Sequence, residues 1–312
     1  MAKVLVTGGA GFIGSHIADA YISRGDEVVV LDDLSSGKRE NVPAGAELVV
    51  LDIRDAAAAA LVRQRRFDLV SHHAAQIDVR RSVADPRHDL SINVEGLLNL
   101  LEASRDASVG RFVFVSSGGV VYGEPEVRPT PEDTPKLPES PYGVSKLTGE
   151  HYLYYFHRVH GLDYVALRYA NVYGPRQDPH GEAGVVAIFS NRLLAGDPLT
   201  IFGDGEQTRD YVFVEDVVSA NLLLSDTHLA PAAALDDRAF NVGTSQETSV
   251  RELAQTLISS AGRAGEVRHA AARPGELRHS SLNAEKLRAL GWKPGTNLEM
   301  GLRITYDWIT GG

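Results

Sequence analysis

The stretch VLVTGGAGFIGSH at residues 4–16 limits the fold more than any other part of this chain. An apolar run passes into four glycines within seven residues, Gly8, Gly9, Gly11 and Gly14, and then into residues that suit a helix. A strand, a tight turn and a helix in that order open a β-α-β unit. The rhythm continues: short apolar runs recur at Val28–Leu31, Leu48–Leu51, Leu69–Val70, Phe112–Val115 and Tyr164–Leu167, with helical stretches such as Ser15–Arg24 and Asn93–Ser104 between them. Near-continuous apolar strands alternating with helices mark a parallel sheet covered on both faces.

At 312 residues there is room for one large α/β unit or two modest domains. From about Asn171 the rhythm weakens and turn material becomes dense, in YGPRQDPHGEAG and FGDGEQTRD. RAFNVG at 238–243 then reads as a further strand able to rejoin the first sheet. The expected fold is α/β: a Rossmann-like, doubly wound parallel sheet from residues 1–170, with 205–243 returning to it. A smaller substrate-binding region comes from 171–204 and 244–312.

Composition removes several classes of function. A hydrophobic share of 43% with 23% charged residues belongs to a globular protein. The formal net charge of −10 argues against a nucleic-acid partner, which needs clustered positive charge. The basic cluster Arg63, Arg65 and Arg66 follows AAAAALV and reads as a helix end, where cations complement the dipole. With no cysteine there is no thiolate nucleophile, disulfide or iron–sulfur cluster. The eleven histidines include no His-Glu-x-x-His, and no metal is expected. No apolar run reaches the roughly 18 residues of a membrane span, and MAKVLVTGG leads directly into a strand. A soluble, cytoplasmic protein without a membrane partner is expected.

The glycine turn is suited to a dinucleotide pyrophosphate: Gly8, Gly11 and Gly14 allow close backbone approach, and the helix start offers free N–H groups and a positive dipole end. Asp32 closes the next apolar run, eighteen positions after Gly14. A carboxylate there accepts both ribose hydroxyls and repels a 2′-phosphate, which favours NAD over NADP. Phe12, Ile13, Asp33, Ser36 and Gly37 join these as expected cofactor contacts. Asp52, with Ile53 beside it, ends the third apolar run, and it meets the adenine or caps a helix.

SPYGVSK supplies Tyr142 and Lys146, four residues apart and so on one helical face, behind Ser140 as N-cap and Pro141 at the first helical position. A lysine ammonium close to a tyrosine favours the phenolate and makes a usable general base.

With these motifs in place the chain resembles the extended short-chain dehydrogenase/reductase family, and within it the UDP-glucose 4-epimerase group. TGGAGFIG, LDDLSSG, SSGGVVYG, YGVSK, RYANVYGPRQDPHGEAG, GEQTRDYVFVEDV and ARPGE occur in the family's order over essentially the whole length. The resemblance implies a hydroxyl on the sugar O4, best matched by Ser117 with Ser116 as the alternative, beside Tyr142 and Lys146. It further implies that Asn171, Arg209 and Arg273 hold a nucleotide diphosphate, and that Ser280, seven places after Arg273, borders the sugar's C2 substituent. Where some epimerases carry a lysine near the phosphates, this chain has Gln76 and Ile77.

Dehydratases and decarboxylases resembling this chain place a carboxylate before VYG; between Ser116 and Tyr122 there is none. Epimerisation asks for less. Tyr142 takes the O4 proton while hydride leaves C4 for NAD, and the same hydride returns to the other face. The resemblance therefore implies NAD-dependent 4-epimerisation of a UDP-sugar. The alternatives are a nucleotide-sugar ketoreductase and a silent NAD-binding regulator. Apolar residues on several faces of the helix after Tyr142, Leu153, Tyr154, Tyr155 and Phe156, suggest a homodimer.

Overall fold

The structure, a computed structural model, describes residues 1–179, 184–272 and 277–311. Its first half is β1 (Lys3–Thr7), α1 (Phe12–Ser23), β2 (Glu27–Asp32), β3 (Glu47–Val50), α2 (Ala56–Arg65), β4 (Leu69–His72), α3 (Val79–Ala84), α4 (Pro86–Leu90), a π-helical turn (Ser91–Gly96), α5 (Leu97–Ala107), β5 (Arg111–Ser117), α6 (Gly118–Val121), α7 (Pro141–His160) and β6 (Tyr164–Tyr169). The second half is β7 (Asn171–Tyr173), α8 (Val185–Ala195), β8 (Leu199–Phe202), β9 (Thr208–Arg209), β10 (Tyr211–Phe213), α9 (Val214–Asp226), β11 (Ala239–Val242), β12 (Thr248–Ser249), α10 (Val250–Ser260), β13 (Val267–Ala270), β14 (His279–Ser280), α11 (Glu285–Arg288) and α12 (Leu298–Thr310).

Seven strands form one parallel sheet in the order β3-β2-β1-β4-β5-β6-β11, the doubly wound arrangement expected of the strand–helix alternation. Successive side chains of a strand point to opposite faces, so each apolar run feeds two cores. Leu5, Val29, Leu31, Phe112 and Phe114 pack under α2, α5 and α7. Val4, Val6, Val28, Val30 and Val113 pack under α1 and α9. The strand order reverses between β1 and β4, and such a switch point opens a crevice at the carboxyl ends of the strands. The candidate cofactor residues up to Ile53 lie at that edge, on the loops leaving it or in the first turn of α1.

A third core belongs to the smaller region. Tyr173, Phe189, Leu193, Phe213, Leu253, Leu302 and Tyr306 close around three short pairings: β7 with β10, β8 with β13, and β9 between β12 and β14. Phe12, the first residue of α1, is buried in this third core and so ties the two regions together at the glycine turn.

Candidate active site

The glycine turn is crowded by backbone, which explains its composition. A Cβ on Gly8, whose φ is +68°, would lie 2.6 Å from the amide nitrogen of Ala74 on the loop after β4. One on Gly14 would meet the Gly8 carbonyl at 2.2 Å, so α1 can start this close to the turn only without a side chain there. The N-terminus of α1, capped by Gly11 without a side-chain hydrogen bond, keeps amides for an anion.

Asp32 ends β2 as a buried carboxylate, accepting the Ala10 amide at 2.9 Å on Oδ2 and the Leu34 amide at 2.8 Å on Oδ1. Burial pushes its acidity down, raising the pKa, and the two amide bonds oppose this. A Cβ on Gly37 would sit 2.7 Å from Oδ1, so glycine lets the loop fold closely over the carboxylate. Ser36 lines a shallow depression with Gly11, Lys38, Asn41 and Arg176, while the Asp33 carboxylate folds back onto Ser35. These groups fit the ribose and pyrophosphate of a dinucleotide. Asp52 follows β3 and is gripped by Arg54, which holds its carboxyl below the usual range. The N-cap of α2 is Asp55, not Asp52. Ile53 is buried against Gly96.

Helix α7 starts as its sequence dictates: Ser140 Oγ accepts the Gly143 amide at 3.1 Å and Pro141 occupies the first turn. Its first two turns carry Tyr142 and Lys146 to the end of β5. Lys146 Nζ donates to the carbonyl of Val115 at 2.9 Å and stands 5.7 Å from the Tyr142 ring centroid. Burial brings the Lys146 pKa down to about 8, opposed by the charge of Asp89. Two residues beyond Val115 lies Ser117, partly exposed at the start of α6 with its side chain making no cap bond. A Cβ on Gly119 would be 3.9 Å from Ser117 Oγ and 4.0 Å from Asn171 Oδ1, so these two side chains face one cleft across a bare glycine.

Ser116 faces the other way. Its Oγ donates to Glu150 Oε1 at 2.5 Å in a fully buried cluster. Arg168 of β6, with no exposed surface, donates from Nε and Nη2 to both oxygens of Glu150, at 3.0 and 2.6 Å. It also donates to Asp236 at 2.8 Å and to Tyr122 Oη at 2.9 Å, and the Tyr122 hydroxyl donates on to Asn241 Oδ1 at 2.8 Å.

On the substrate side, β9 places Arg209 in register with Ser280 of β14. The next residue, Asp210, is buried and takes the amides of Thr244, Ser245 and Leu282 together with the Thr244 hydroxyl. This ties the loop after β11 and the segment after β14 to Asp210, next to Arg209. Arg273 lies outside the described residues.

Several of these groups were not evident in the sequence. Glu150 carries a signal in hindsight: it continues the four-residue spacing of Tyr142 and Lys146 along the inward face of α7. Arg168, a charge inside a wholly buried strand, is a second signal. Gln76, where some epimerases carry a lysine, is buried, with its Nε2 on Asp89; Asn93 and Ser145 also donate to that carboxylate.

Comparison with known proteins places the chain and its fold in a wider set. The chain is 47% identical to a UDP-glucose 4-epimerase of Mycolicibacterium smegmatis, over 98% of both chains. The solved UDP-glucose 4-epimerase of Thermotoga maritima with UDP-glucose superposes with a TM-score of 0.94 at 46% identity, over 99% of each chain. The Thermus thermophilus UDP-glucose 4-epimerase in complex with NAD gives 0.92 at 47%, again over 99% of each. Residues 4–243, which run from the first strand of the cradle to the last strand of the main sheet, match the NAD dependent epimerase/dehydratase family, and the chain belongs to that family.

Proposed function

We propose that this protein is an NAD-dependent 4-epimerase that interconverts UDP-glucose and UDP-galactose. The observation that carries the reading is Tyr142 and Lys146 brought by α7 against the end of β5, beside a loop that offers hydroxyl and glycine but no acid. Glu124, the first carboxylate beyond that loop, is engaged by the backbone amide of Arg278. Tyr142 takes the proton from the sugar O4, and the Lys146 ammonium stabilises the phenolate. Ser117 hydrogen-bonds O4 and keeps it in line with Tyr142. Asn171, Arg209 and Arg273 hold the diphosphate, planar guanidinium forks being matched to phosphate oxygens. The glycine turn, Asp32, Ser36 and Gly37 hold NAD, which when bound supplies reversible oxidation at C4.

A hydride that must return to its own sugar needs a cofactor that stays in place. Freshly purified protein is therefore expected to release near-stoichiometric NAD on denaturation and to turn over without added cofactor. Empty protein with an absolute need for NADPH would instead identify a ketoreductase.

Substrate breadth rests on Ser280, a small and mostly buried side chain next to Arg209. With this little volume at the C2 side, UDP-GlcNAc and UDP-GalNAc are expected to be interconverted as well. Ser280→Tyr should suppress the N-acetylated pair selectively, an overfilled pocket costing about 1–3 kcal/mol. Equal effects on both substrate pairs would separate Ser280 from the sugar.

We propose further that the protein is a homodimer. Of the apolar residues that suggested this, Leu153 and Phe156 belong to the core and Tyr154 is half-buried. The exposed ones are Val144, Tyr155 and Val159 on α7, with Val83 and Leu90 nearby on α3 and α4. Sedimentation at micromolar concentration should give a dimer, and Val159→Glu should weaken it; a monomeric parent would remove this reading.

A further inference from the structure

We infer that Arg168 and Glu150 are positioning residues that clamp both ends of the Ser116–Tyr122 loop to the helix bearing Tyr142. The inference rests on the roles given above to Ser117 and Tyr142. Both members of the pair are buried, and Arg168 also reaches the partly exposed Asp236. A buried ion pair is a poor source of stability, because desolvation offsets most of its attraction. Its connections show what it does instead.

The segment packs through its far end, where Val121 and Tyr122 meet Leu282 in a small apolar cluster, while its near end carries no packing side chain. Gly118 and Gly119 have no side chains, and Gly118 is pressed beneath Leu282, where a Cβ would meet the Leu282 side chain at 2.4 Å. Its entry and exit are held by the same ion pair: Ser116 donates to Glu150, and Arg168 donates to Tyr122. Glu150 lies on α7 eight residues beyond Tyr142, about 12 Å along the axis at 1.5 Å per residue. Ser117, adjacent to Ser116, is therefore located with respect to Tyr142 through one rigid helix. Arg168 sits on β6, paired with β5 at Ser116 in the sheet register, so the sheet supplies the third side of the frame.

A 4-epimerase has a particular need for such a frame. The sugar must present both faces to one cofactor, so the substrate turns while the hydroxyl donor and the base stay fixed. Misplacement by about 1 Å is enough to cost on the order of 100-fold.

The test uses the holoenzyme with Ser116→Ala, Tyr122→Phe and the double variant, each change deleting buried hydroxyls and keeping the rest of the side chain. The kcat per bound NAD is expected to fall about 10- to 100-fold, with KM for UDP-galactose within about twofold of the parent. The double variant should be no slower than the worse single, since both arms hold one loop. Parent-like kcat per bound NAD in both single variants, with only the melting temperature lowered, would show a purely structural pair and overturn the inference. Tyr142→Phe measured alongside separates the two levels: if it too retains turnover, the assignment of the base has failed rather than the clamp.

Discussion

Tyr142→Phe is expected to lower UDP-galactose turnover by about 10²- to 10⁴-fold while NAD content and KM stay close to those of the parent. The change removes one hydroxyl and keeps the ring, so the packing of the ring beside Lys146 persists. The start of α7 is set by Ser140 and Pro141, neither of which depends on the phenol. An interaction made with the transferring proton acts chiefly in the transition state, and its loss appears in kcat and kcat/KM together. Steady-state kinetics on protein with measured NAD content check this. Turnover near the parent's would mean that another group accepts the O4 proton.

Arg168→Met should cost about 3–5 kcal/mol of folding stability, the usual consequence of stripping one partner from a buried pair. The variant leaves the buried Glu150 carboxylate without the guanidinium that pairs with it, and leaves the Tyr122 hydroxyl without its donor. Urea unfolding with the slope compared between proteins measures the loss. Adding Glu150→Gln should restore part of it, because the second substitution removes the stranded charge. A loss under about 1 kcal/mol in the single variant would place the pair in a far more polar setting than its burial implies.

The main sheet was legible in the sequence because parallel strands buried on both faces are written as continuous apolar runs, and the chain has such runs at β1, β2, β5 and β6. The cofactor turn was legible for a steric reason, since Gly8 and Gly14 stand where backbone approaches within 3 Å. Tyr142 and Lys146 were legible because helical spacing is a local property. The cluster around Arg168 was not. Its members come from β5, the end of α6, α7, β6 and β11, where Tyr122 follows the last residue of α6, and only the folded chain brings positions 116, 122, 150, 168 and 241 together. The short strands of the smaller region were hidden for a related reason. Thr208–Arg209 and His279–Ser280 are two residues each, too short to carry a period, and pair across seventy positions of chain.

The place of β11 in the sheet has a consequence for the order in which the protein is made. Residues 239–242 form the edge neighbour of β6, which itself ends at Tyr169. While the ribosome is between these points the nascent sheet has an open edge at β6, and until Asp226 has been added α9, which covers one face of it through Val217 and Ala220, is incomplete. At about 5–20 residues per second that interval lasts roughly 4–14 s. An unpaired parallel edge is a template for association with other chains, so a chain cut at residue 170 would expose β6 in place of β11, and synthesis passes through a window in which a chaperone has something to hold.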